Sequence, residues 1–211
     1  MNEQRSCNRR PKCEKRADGA KVISGYAAVF YNAADPGTQY QIFEGMVERI
    51  SRGAFDNALK ENDDARGAFN HSVDLLLGRR SSGTVTLSVD QTGLLYEITL
   101  PDTVAGRDVA TLIERGDVTG SSFAFSIYGG KRGRVIWEYQ DGVDIRNILD
   151  LELYDVGPVT FPAYEATTAA VRSRQELLRE RDEFRKSLQA HRQPDEISVR
   201  AAMVKLANAN I

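Results

Sequence analysis

Residues 83–101, GTVTLSVDQTGLLYEITLP, constrain the fold more than any other segment. Val85, Leu87 and Val89 alternate with polar residues, the Gln91-Thr92-Gly93 triplet turns the chain, and Leu95 follows with Ile98 and Leu100 nearby. A period of two with a turn in its middle predicts a half-buried β-hairpin, and a hairpin needs further strands to cover its apolar face. KVISGYAA at 21–28, continued by Val29-Phe30-Tyr31, has strand composition, and IRNILDLELYDVGPVTFPAY at 145–164 reads as a strand pair or one long bent strand. Between them, GRDVATLIER at 106–115 spaces Val109, Leu112 and Ile113 as a helix does, with Gly116 as its C-cap. A shorter helix near 51–60 places Phe55 and Leu59 on one face. The class is therefore mainly β with flanking helices, α+β.

The 211 residues suffice for one ordinary domain with a tail at either end. With 41% hydrophobic and 27% charged residues and 6 prolines, the core should fold without staples. Arg5, Arg9, Arg10, Lys12, Lys15 and Arg16 outnumber Glu3 and Glu14 at the start, so residues 1–20 read as a basic, mobile arm. Residues 21–172 then form the domain, and 173–211 a charged, partly helical tail with Leu177, Leu178, Phe184 and Leu188 before Pro194. A net charge of −2 argues against a specific nucleic-acid reader. No apolar run suits a membrane span or signal sequence, which predicts a cytoplasmic protein. Cys7 and Cys13 have no histidine close by in sequence and read as free thiols; neither a metal nor a cofactor is expected.

Imidazole is scarce. His191 lies in the charged tail, whereas His71 sits in FNHSVDLLLG, a segment apolar enough to belong to the core. His71 is the better candidate base; its structural alternative is a hydrogen-bonded core side chain. A serine needs such a base to become a nucleophile. In Gly120-Ser121-Ser122-Phe123 the strand alternation puts Ser122, Ala124 and Ser126 opposite Phe123, Phe125 and Ile127, which predicts an accessible Ser122 hydroxyl. This is no G-x-S-x-G elbow.

The blocks VERISRGAFDNAL, NHSVDLLLGR, RGDVTGSSFAFSI and LELYDVGPVTFPAYEAT, in that order over roughly residues 22–172, resemble the caudovirus prohead proteases, the capsid-maturation serine peptidases of tailed phages. The resemblance implies a closed, mostly antiparallel β-barrel like herpesvirus assemblin. It also implies cleavage of scaffold and major capsid protein inside the immature shell, in the host cytoplasm. The family's histidine falls on His71, its serine on Ser122 and its third, acidic member on Asp155. The common Glu of the family is Asp155 here, and the following Ser is Gly157; Glu152 is the fallback acid. No arginine matches the position assemblins recruit for the oxyanion. A homo-oligomer is compatible with the resemblance, and a polar tail attached to a protease is a candidate for self-cleavage.

Two other classes compete. A catalytically silent scaffold or capsid-assembly component would leave His71 and Ser122 structural. A nucleic-acid module using the basic arm lacks aromatic residues interleaved with basic ones in the folded region.

Overall fold

The computed structural model describes residues 3–61, 64–127, 133–162 and 168–192. In chain order the strands are β1 Glu3–Cys7, β2 Lys12–Lys15, β3 Lys21–Val29, β4 Tyr40–Phe43, β5 Met46–Ile50, β6 Arg66–Ala68, β7 Leu76–Arg79, β8 Val85–Val89, β9 Gly93–Thr99, β10 Gly120–Ser126, β11 Arg134–Gln140, β12 Val143–Asp150 and β13 Glu152–Val159. The helices are α1 Asp56–Lys60, α2 Val104–Arg115 and α3 Thr168–Arg192. The chain divides into two units, Met1–Ser173 and Arg174–Ile211; the described part of the second is helical and mostly charged. Pro194 and the tail beyond it lie outside the described residues, as does the side chain of His191. No helix of the described residues is long and apolar enough to cross a membrane.

β8 and β9 form the hairpin in antiparallel register, Val85 opposite Ile98 and Val89 opposite Leu94. Its turn is fastened by the Asp90 carboxylate, which accepts the N–H of Thr92 at 2.7 Å and of Gly93 at 3.0 Å. The inward phase on β9 is Leu94, Tyr96 and Ile98, all fully buried, so Leu95 lies half-buried on the other face. α2 starts at Thr103, whose hydroxyl accepts the N–H of Gly106. It stops at Gly116, where φ of 91° is the left-handed geometry glycine adopts without strain. Val109, Ala110 and Ile113 form its buried face.

The described strands make three open sheets rather than a closed barrel: β1-β10-β13-β6-β7, β11-β12-β5-β4 and β2-β3-β9-β8. Two neighbouring pairs, β5 with β12 and β6 with β13, are parallel. The sheets bury their apolar faces against one another instead of curling shut. β3 packs on β10, β1 and β13 without pairing to them, and the Tyr96 and Ser121 hydroxyls bond across that contact at 2.9 Å. The core between them includes Phe30, Phe55, Phe123 and Phe125, linked ring to ring at 4.9–6.1 Å.

Residues 1–20, read from their charge as a mobile arm, contain two paired strands. β2 pairs with β3, and β1 runs antiparallel along β10 with Ser6 opposite Ser122. The reason is a buried charge cluster that a count of basic residues does not reveal. Arg146 on β12 is fully buried; its guanidinium donates to Glu3 at 2.8 Å and to Glu48 on β5 at 2.6 Å. Arg5 donates to Glu48 at 2.7 Å and to Glu3 at 2.8 Å. Two cations and two carboxylates thus neutralise one another and clamp β1 onto the second sheet. Burial alone would push the Glu3 carboxyl up, but Arg146 and Arg5 outweigh it and hold it below its ordinary value.

Removing one member leaves a buried charge uncompensated. Arg146→Met is expected to cost about 3–5 kcal/mol in denaturant unfolding. Because the folded value for Glu3 is depressed, its stabilisation is complete above the ordinary value of 4.5 and fades as pH falls through the lowered one. Hydrogen-exchange protection of residues 3–7, corrected for intrinsic rates, should therefore hold at neutral pH and drop in acid before that of β9.

Candidate active site

β13 lies between β10 and β6, and this order assembles the site. Ser122 on β10 stands opposite Gly157, and Ala124 opposite Asp155. On the other side β6 runs parallel to β13, with Arg66 opposite Asp155 and Gly67 opposite Val156. His71 follows three residues after β6 ends, so a tight turn can fold its ring back over β13. That turn carries two consecutive non-glycine residues in the left-handed region, Asn70 at φ 53° and His71 at φ 57°. Such a conformation costs of order 1 kcal/mol or more per residue unless the surroundings enforce it. Here Asn70 is held at three points. Its backbone N–H donates to Pro158 O at 3.1 Å, its side-chain amide donates to the Thr160 hydroxyl at 3.1 Å, and its side-chain carbonyl accepts the N–H of Thr160 at 2.8 Å.

The imidazole bridges the two residues predicted as its partners. Nδ1 is hydrogen-bonded to the Asp155 carboxylate, and Nε2 lies 2.7 Å from Ser122 Oγ. With the Nδ1 proton directed at Asp155, Nε2 is left as the acceptor facing the hydroxyl. Asp155 reaches the ring despite its short side chain because β6 and β13 run side by side where His71 turns back. Glu152, the fallback acid, is opposite Ser126 and accepts from the Tyr154 hydroxyl at 3.3 Å. Ser121 faces Tyr96, away from His71. Among the described residues no group of three or more His, Cys, Asp or Glu side chains is arranged to hold a metal ion.

Gly157 is needed where the family resemblance has a serine. A Cβ there would stand 2.0 Å from Ala68 O, because the backbones of β6 and β13 approach that closely.

One expectation fails. Ser122 is fully buried rather than accessible, while the His71 and Asp155 side chains keep 12% and 19% exposure. Alternation identifies the face of a strand, not what covers that face. Here β1 flanks β10, and Ser122 Oγ lies 2.9 Å from Arg5 O, a second acceptor for its proton. The Arg5 contact and the Asn70–Thr160 fastening both escape the sequence reading. For Asn70 a signal existed, since asparagine tolerates the left-handed region better than most residues; the Arg5 carbonyl has none, being backbone.

Gly157→Ala is expected to force β6 away from β13 and pull His71 from Asp155. It should destabilise by about 1–3 kcal/mol, with chemical-shift changes at His71 that Gly142→Ala, in the open β11–β12 turn, does not produce.

A solved structure of the bacteriophage T4 capsid assembly protease, gp21, aligns with 75% of this chain and 97% of that chain at 11% identity, with a TM-score of 0.49. No curated protein matches the chain. The family model of the caudovirus prohead serine proteases matches residues 9–180, a span that holds the histidine, serine and aspartate brought together above and covers most of the sequence; the chain belongs to that family.

Proposed function

We propose that the protein is a serine endopeptidase of phage prohead maturation, acting on scaffold and major capsid protein inside the assembling shell, with Ser122 as nucleophile, His71 as base and Asp155 as its orienting partner. The observation that carries this reading is the single imidazole hydrogen-bonded at one nitrogen to a carboxylate and at the other to a hydroxyl.

In the proposed mechanism His71 Nε2 takes the Ser122 proton as Oγ bonds to the substrate carbonyl carbon, and the oxygen of that carbonyl becomes the oxyanion. The imidazolium then gives its proton to the leaving nitrogen, the C–N bond breaks, and an acyl-serine remains. Water, deprotonated by the same ring, attacks the ester; the proton passes to Ser122 Oγ as the acid product leaves. Asp155 keeps the Nδ1 proton in place and stabilises the cation formed in each half. The polar tail from 173 onward is the candidate for self-cleavage.

The burial of Ser122 favours one competing reading, a silent assembly component. Co-expression with the cognate scaffold and capsid protein, read by intact mass, separates the two. Wild type should shorten both proteins. Ser122→Ala and His71→Ala should leave them whole, and Asp155→Asn should slow processing on the order of 10⁴-fold. Equal processing by all four would remove the enzyme reading, and the tail staying whole while scaffold is cut would remove self-cleavage.

A further inference from the structure

The hydroxyl of Ser122 has one proton and two neighbours, His71 Nε2 at 2.7 Å and Arg5 O at 2.9 Å. A base can take that proton only if it points at Nε2. When it points at Arg5 O, the bond to the ring requires a proton on Nε2, and the ring is then no base. A main-chain carbonyl from β1 therefore competes with the base for the nucleophile's proton. The same strand fills the edge of β10 beside Ser122, where an extended peptide would add by main-chain pairing.

The side chains of β1 are read as a ligand's would be. Arg5 meets Glu48, and Glu3 meets Arg146. Glu48 and Arg146 also bond to each other at 2.6 Å. Removing β1 takes away one positive and one negative charge and leaves a neutral buried pair behind, so the strand is electrostatically separable from the rest of the domain.

We propose that β1 is a built-in, substrate-like strand that holds the Ser122 site shut, and that the edge it covers is the peptide-binding edge, with Glu48 and Arg146 reading a basic and an acidic side chain two residues apart. This rests on Ser122 being the nucleophile of a serine peptidase. Substrate entry then requires β1 to leave β10, and a segment of the pattern acid-x-base is the preferred occupant.

The test reads covalent labelling of Ser122 by a fluorophosphonate, followed by intact mass on the full chain with Ser122→Ala as blank. The Glu3→Ala/Arg5→Ala double variant, which keeps the Glu48–Arg146 pair, should label at least ten times faster than wild type. A synthetic peptide of residues 2–8 should slow that labelling, and the same peptide carrying Glu3→Lys and Arg5→Glu should not. A second variant tethers the strand instead of opening it. Ser121→Cys stands opposite the native Cys7, on the face away from His71, so its disulfide would tether β1 to β10. Oxidised, it should be inert to the probe; reduced, it should label as wild type does. Equal labelling of wild type, double variant and oxidised tether would overturn the strand's role while leaving the peptidase reading intact. Folded protein that no variant renders reactive would overturn both.

Discussion

The site depends on how closely two strand backbones approach each other. Ala68 O lies where a side chain on Gly157 would begin, so the absence of that side chain lets β6 come this close to β13. From it follow the position of the turn after β6, the left-handed pair Asn70-His71 and the reach of an aspartate where one more methylene would otherwise serve. The strain in the turn is compensated by bonds to Pro158, at the end of β13, and to Thr160, just after it. One strand thus supplies the carboxylate, accommodates the approach and anchors the turn that presents the imidazole.

Ser122 is organised differently. Its neighbours Phe123 and Phe125 stack at 4.9 Å in the core, so the strand cannot shift without disturbing the largest apolar cluster of the domain. Ser122 is consequently held in place, and what remains adjustable is its cover. β1 is the terminal strand of its sheet and is clamped by charges rather than by an apolar face of its own. Apolar packing is non-directional and hard to undo in part, whereas a balanced ionic clamp separates into two neutral halves.

Patterns local in sequence were legible. The hairpin of β8 and β9, the helix α2 with its Gly116 cap and the strand β10 follow from spacing and turn residues, because each is decided within about a dozen positions. The phase of β9 was not, since Leu94 and Leu95 are both apolar and only the opposing sheet selects between them. Barrel closure was an inference from resemblance; the actual sheets are open, each with two end strands. The basic start misled most. Arg5 and Glu3 read as solvated charges, yet their partners Glu48 and Arg146 lie 43 and 143 positions away, where no window can find them. For the site, His71 and Ser122 could be named from residue types and Asp155 only from the family resemblance, while the backbone atoms that position and cover them could not be named at all.

A tethered occupant such as β1 sets a threshold as well as a block. A strand joined to its site through a short connection competes at an effective concentration on the order of millimolar. A peptide of ordinary affinity, dilute in solution, cannot displace it, whereas protein chains packed against the enzyme at comparable local concentration can. On the proposed function that difference separates free protease in the cytoplasm from protease enclosed with its substrates. The ionic clamp then has to be strong enough to win in the first case and weak enough to lose in the second, a condition met by paired charges that leave no net charge behind when they part.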